Sequence, residues 1–305
     1  MSIIEKAVGK LEKEAGFGAK KSLDNAKPHL NQEKVVPADN QMQAAVHIEE
    51  SKPAIPVKTS IDAARSNYID IDLNRLYQLG IVTPNQGKTQ VAEQFRIIKR
   101  PILTKALKQR TENGKHGNLI MISSALAAEG KSFCALSLAM SIASEMDNRV
   151  LLVDADVARP SIPRILGFGV KKGLLDILLD EQLDIADVLN KTSVEKLSII
   201  TAGAPHPHAT ELLASQSMEK TLDELAQRYN DRIIIFDSPP LLLTSEAHVL
   251  AARMGQIILV VEAERTAQQE LKLALSQIES CENISLIYNK DRALSHSEYY
   301  GYYYS

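Results

Sequence analysis

The stretch NLIMISSALAAEGKSFCALSLAM, residues 118–140, constrains this chain more than any other. Leu119, Ile120, Met121 and Ile122 make a short apolar run that stops at Ser123-Ser124, and helical spacing resumes at Phe133, Leu136 and Met140. A buried strand thus enters a loop of small residues, and Gly130-Lys131-Ser132 opens a helix. That layout turns backbone N–H groups and a helix N-terminus toward an anion, with a lysine and a hydroxyl beside them. It predicts a nucleoside triphosphate site. Ala127, Ala128, Glu129, Gly130, Lys131, Ser132 and Phe133 are expected to line it, Lys131 reaching the β- and γ-phosphates and Ser132 ligating Mg²⁺. Ala125 stands where a phosphate loop of this spacing usually opens with glycine. With one glycine in the loop, the backbone freedom that glycine supplies at 125 and 128 is missing.

Downstream, short apolar runs alternate with helical patterns. Residues 149–153, 197–201, 232–236, 256–261 and 284–288 read as strands, and 217–229, 245–252 and 268–280 as the clearest helices. Continuous apolar strands alternating with helices predict an α/β fold: a mostly parallel sheet covered by helices on both faces. A net charge of −3 gives no sign of a nucleic-acid partner, and no apolar run is long enough to cross a bilayer. The two cysteines, Cys134 and Cys281, lack metal-ligand spacing and suit a reducing compartment. His206-Pro207-His208 lacks further ligands and reads as an exposed loop.

Upstream, residues 1–15 read as an amphipathic helix with Ile4, Ala7, Val8, Leu11 and Ala15 on one face. Residues 16–66 form a polar, proline-bearing stretch expected to be a disordered linker. Residues 67–89 are a lead-in with one short helix ending at Gly80. A stronger helix covers 89–100, expected to end or kink at Pro101 and followed by a second helical piece over 103–110. The main domain spans 90–290, and a flexible tail, 291–305, carries Tyr299, Tyr300, Tyr302, Tyr303 and Tyr304, five of the nine tyrosines of the chain. Phosphorylation of each would add roughly −1.5 to −2 charges, which makes acceptor hydroxyls the functional reading of this cluster.

Two further apolar strands end in carboxylates. Leu151-Leu152-Val153 leads to Asp154 and Asp156, and Ile233-Ile234-Ile235-Phe236 leads to Asp237. Ligands of open α/β sheets bind beyond that strand end, where such groups can hold Mg²⁺ or accept a proton.

Together these motifs resemble the bacterial tyrosine kinases, or BY-kinases, P-loop enzymes in which a tyrosine cluster is autophosphorylated in trans. Phrases such as SIIEKAVGKLE, EQFRIIKRP, DADVARPS, HPHATELLAS and EYYGYYY are similar to the exosortase-associated autokinase branch of exopolysaccharide systems. The resemblance implies a P-loop NTPase fold and a protein-tyrosine kinase using ATP and Mg²⁺. It assigns Lys131, Asp154, Asp156 and Asp237 to catalysis, and Ser132, Asp154 and Asp237 to the metal. Either Asp154 or Asp156 would help the metal while the other orients or deprotonates the tyrosine. Asn289 resembles an adenine-contacting asparagine. Glu93, Arg96, Lys99 and Arg100 resemble an oligomerisation motif, E-x2-R-x2-R, with Lys99 at the second arginine, implying a homo-oligomeric ring. Ala158 replaces a further arginine of the family, with Arg159 beside it. The implied partners are a membrane-bound polysaccharide chain-length protein as activator and a cognate tyrosine phosphatase, with the kinase cytoplasmic and recruited to the inner membrane face. Two rival readings are a partition- or septum-placement-type ATPase and a non-catalytic nucleotide-binding regulator. The first normally has a loop lysine at the position of Leu126, absent here, and the tail tyrosines also oppose it.

Overall fold

The computed structural model describes residues 67–84, 89–108 and 115–291. The expected helix at 1–15, the linker at 16–66 and the five tail tyrosines lie outside the described residues. In chain order the elements are β1 (Tyr68–Ile69), α1 (Leu73–Gln78), α2 (Gln90–Lys108), β2 (Leu119–Ser124), α3 (Lys131–Ala143), β3 (Arg149–Asp154), α4 (Ile162–Leu166) and α5 (Leu174–Leu179). They continue as α6 (Ile185–Val188), β4 (Asn190–Thr192), β5 (Leu197–Ile200), α7 (Ala209–Leu213), α8 (Gln216–Arg228), β6 (Arg232–Asp237), α9 (Ser245–Ala251), β7 (Gln256–Glu262), α10 (Gln268–Ser276) and β8 (Ile284–Asn289).

The strands form one sheet in the order β1-β4-β5-β3-β6-β2-β7-β8. Every neighbouring pair is parallel except β4 with β5. The mostly parallel sheet follows from the five apolar strands and the helices between them. Strands β1 and β4 were not expected: they are two and three residues long, and β4 is Asn-Lys-Thr, with no apolar run to announce it. Their pairing is fixed by tertiary contact alone.

Side chains alternate across the pleat, which divides the apolar strand residues between two faces. Ile120, Ile122, Val150, Leu152, Ile233, Ile235, Ile258 and Val260 join one core cluster with Leu136, Leu138 and Met140 of α3 and Phe95 and Ile102 of α2. Their neighbours Met121, Leu151, Val153, Ile234, Phe236 and Leu259 are just as buried and point the other way. The sheet is therefore sandwiched, and helix α3 is packed so completely that 12 of its 13 residues are buried. The phosphate loop is anchored to a rigid element at both ends.

Of the two outcomes expected at Pro101, an end or a kink, helix α2 rules out the first. It does not end at Pro101 but runs on to Lys108 with Pro101 inside it. Thr89 caps its start, accepting from Ala92 N at 3.2 Å. Pro101 lies on the exposed side, while Phe95, Ile102 and Ala106 are buried against the core, so packing outweighs the lost intrahelical bond. Restoring that bond in a Pro101→Ala variant should stabilise the protein by about 1–2 kcal/mol, since the intrinsic helix penalty of ~3 kcal/mol is offset in part by the looser unfolded chain. Urea unfolding should show a higher midpoint at unchanged slope.

Candidate active site

The site lies at the C-terminal edge of β2, β3 and β6. Register explains how the acids meet. In the β3–β6 pair Asp154 sits opposite Asp237, and in the β2–β6 pair Ile122 sits opposite Asp237. Period-two alternation places both aspartates on the face covered by α3, the helix that opens with Lys131. Strand length, pleat and register together bring the two carboxylates under the lysine.

The side chains form a buried charged cluster. Lys131 Nζ lies 2.7 Å from Asp156 Oδ2 and 3.7 Å from Asp237 Oδ1, with Ser132 Oγ 3.5 Å away. Asp154 and Asp237 are fully buried, while Asp156 keeps 5% exposure. Asp154 Oδ2 accepts from Ile162 N at 3.1 Å, which also ties down the start of α4. Ser161 donates to Ser132 Oγ at 2.8 Å and lies 3.5 Å from Asp237 Oδ2. Burial pushes the Asp154 carboxyl up to about 8, with the neighbouring Asp237 adding to the shift. Burial likewise raises Asp237. For Lys131 burial opposes the charge, but Asp237 and Asp156 outweigh it and hold the ammonium above its usual range.

One lysine facing three carboxylates leaves an excess of negative charge in a low-dielectric pocket. The raised carboxyl groups are how the ligand-free protein relieves it. Asp154 Oδ1 and Asp237 Oδ1 have no hydrogen-bond partner although both are buried. Unsatisfied oxygens next to a serine hydroxyl fit a hard divalent cation. Among the described residues no group of three or more His, Cys, Asp or Glu could hold a metal unaided.

The phosphate loop itself answers the question of the missing glycines. Ala128 adopts φ +70°, a left-handed conformation, whereas Ala125 does not leave the usual region. Gly130 has φ +100°, so any other residue there would be strained, and its Cβ would lie 2.1 Å from Asn289 Nδ2 and displace that side chain. Asn289 donates to Glu129 O at 2.8 Å, so it buttresses the loop from the end of β8. Phe133 is half-buried and meets Phe95 edge-on at 6.4 Å between ring centroids. Ala127, half-buried, completes the loop.

The four residues of the expected oligomerisation motif divide. Glu93 and Arg96 pair with each other on the surface of α2, and Arg100 is exposed. Lys99 instead turns inward with 5% exposure, donating to Ser141 O at 2.8 Å and pairing with Glu145. Its charge meets the negative end of α3, so its partners are within the chain. Sequence reasoning missed Ser161, Thr266 and Lys290, which contact Ser132, Glu129 and Ala128 respectively. No local pattern marks the first two, because only the fold brings them to the loop.

In the nucleotide-free protein a raised Asp154 makes the folded state hold a proton that the unfolded chain releases. This group therefore lowers stability progressively from about pH 4 to about pH 8. Asp154→Asn removes the buried charge and should melt about 2–4 °C higher than the parent at pH 8, the gap closing toward pH 5. Thermal melts across that range without Mg²⁺ or nucleotide would check it.

Comparison with known proteins agrees with this geometry. Residues 117–291 match the family described as AAA domain. The tyrosine-protein kinase YwqD of Bacillus subtilis (strain 168) is 28% identical over 228 residues, covering 74% of this chain and 92% of its own. The putative tyrosine-protein kinase CapB of Staphylococcus aureus is 27% identical over 221 residues, covering 72% and 92%. Among solved structures, the chimerical protein CapA2B2 superposes with a TM-score of 0.56 at 25% identity, over 70% of this chain and 96% of that one. With a phosphate loop, two carboxylate-ended strands and these relatives, the chain belongs to the AAA domain family and, within it, to the bacterial tyrosine kinases.

Proposed function

We propose that the protein is an ATP-dependent protein-tyrosine autokinase that phosphorylates its own C-terminal cluster, Tyr299, Tyr300, Tyr302, Tyr303 and Tyr304, in trans. The observation that carries the reading is Lys131 held at 2.7 Å from Asp156 above the buried pair Asp154 and Asp237. The kinase names of the relatives and the tyrosine-rich tail favour transfer to a hydroxyl over hydrolysis.

The chemistry follows from the charges. Lys131, the loop N–H groups and the start of α3 bind the β- and γ-phosphates. Ser132, Asp237 and Asp154 would hold Mg²⁺, which supplies neutralising charge where phosphates and carboxylates share a small volume. Once phosphate takes Lys131, Asp156 Oδ2 loses its partner. As the most open of the three acids, Asp156 then orients the incoming tyrosine hydroxyl and accepts its proton. A phenol with a pKa near 10 is a poor nucleophile, so positioning contributes most. Asn289, bonded to the loop, would contact the adenine.

Glu93, Arg96 and Arg100 on the open face of α2 would join subunits into a ring, bringing each tail to a neighbouring site. Lys99 supports that face from inside. The branch-like phrases support a role in regulating exopolysaccharide synthesis or export. A membrane-bound chain-length protein would be the activator and a tyrosine phosphatase the opponent. Among the described residues no helix is long and apolar enough to cross a membrane. The enzyme would be cytoplasmic and reach the membrane through that activator.

Incubation with ATP and Mg²⁺ followed by mass spectrometry should find phosphotyrosine in the tail of the parent and none in Lys131→Met. Phosphate release with an unmodified tail would instead indicate an ATPase. Mixing Lys131→Met with an active chain lacking the tail tyrosines should label the Lys131→Met tail, as transfer in trans requires. Joint replacement of Arg96 and Arg100 by glutamate should lower the mass measured by light scattering and cut tail phosphorylation by about tenfold or more.

A further inference from the structure

The phosphate loop holds a left-handed alanine where glycine would be free of strain, and something must compensate. Glu129 is 1% exposed, yet its carboxylate makes none of the contacts of the Lys131 cluster. One oxygen accepts from Leu126 N at 2.8 Å, three residues back, closing the loop on itself. The other accepts from the Thr266 hydroxyl, in the turn between β7 and α10. Thr266 Oγ1 in turn accepts from Glu262 N at 3.1 Å. The same side of the loop is held twice more, by Asn289 on the carbonyl of Glu129 and by Lys290 on that of Ala128 at 2.7 Å. Lys290 also pairs with Glu262 at 3.1 Å. Among the described residues, the non-glycine positions with positive φ are Ala128, Glu264 and Lys290. All three lie in the loop or in the two segments strapped to it.

A buried anion next to an anion site opposes phosphate binding unless it is turned away and bonded. Glu129 is both. We infer that Glu129 and Thr266 form a latch: Glu129 is a positioning residue that fixes the loop in its phosphate-receiving shape, replacing the conformational freedom that glycines would provide. The latch rests on the nucleotide reading proposed above. It makes the β7–α10 turn part of the nucleotide site, although no residue of that turn belongs to the phosphate motif.

The test is titration of the full chain with a fluorescent ATP analogue, alongside thermal melts. Glu129→Ala and Thr266→Val should each weaken binding about tenfold, as expected for loss of a hydrogen bond to a charged group. Because both remove the Glu129–Thr266 bond, the double variant should lose clearly less than the product of the two single losses. Thr266→Ser, which keeps the hydroxyl, should stay within about twofold of the parent. Ala128→Gly placed in the Glu129→Ala chain should recover about threefold or more by removing the strain at 128, a rescue that a contribution to global stability alone would not show. Parent-like binding by Glu129→Ala, multiplying losses in the double variant, or failure of Ala128→Gly to rescue would each overturn the latch. If Glu129→Ala does not fold, the contrast between Thr266→Val and Thr266→Ser decides, equal binding overturning it. A parent chain that binds no nucleotide would sink the underlying reading and the latch together, a result distinct from all of these.

Discussion

The pairing of β3 with β6, Asp154 opposite Asp237, is the constraint on which the site depends. It sets two fully buried carboxylates side by side at the end of the sheet, where the start of α3 delivers Lys131. Each acid is costly there in its charged form and its neighbour adds to the cost, because a buried charge without a counter-charge is unfavourable. Without ligand the cluster is eased because burial shifts the Asp154 and Asp237 carboxyls toward their neutral forms and because Lys131 bonds Asp156. Its unsatisfied oxygens make it a receptor for a cation and its lysine a receptor for an anion. The metal–nucleotide complex proposed for the site would supply both.

That receptor needs a rigid surround, and the core provides it. Helix α3 is buried almost throughout, and Lys99 reaches from α2 to its last turn. The same lysine explains why a motif expected to face outward is only partly exposed. A lysine in place of arginine loses bidentate pairing but presents a compact charge on a flexible stem, which suits a single carbonyl and a nearby glutamate. Helix α2 therefore carries an outer face with Glu93, Arg96 and Arg100 and an inner contact that reaches the phosphate-loop helix.

Legibility divided along physical lines. The phosphate loop, the three aspartates and the parallel sheet could be read because each rests on local sequence: period-two or period-3.6 patterning and a fixed short spacing. The continuity of the helix through Pro101 could not, since local rules end or kink a helix at proline while Phe95, Ile102 and Ala106 hold this one by tertiary packing. Strand β4, Asn-Lys-Thr, has no apolar signal at all and exists because β5 and β1 flank it.

What the sequence by itself determined was the inventory of the site: a lysine and serine after a buried strand, and carboxylates after two more. Only the tertiary structure decided their geometry. Strand register is a nonlocal choice, so the meeting of Asp154 with Asp237 and the burial of both had to come from the folded sheet. The loop shows the same division. Its shortage of glycine was plain in ALAAEGKS, but its remedy was not. Ala128 takes the left-handed conformation while Glu129, Asn289 and Lys290 tie the loop to β7 and β8, with Thr266 137 residues from Glu129 in sequence. Contacts at that separation leave no trace in local spacing, because they are created by the chain crossing over itself.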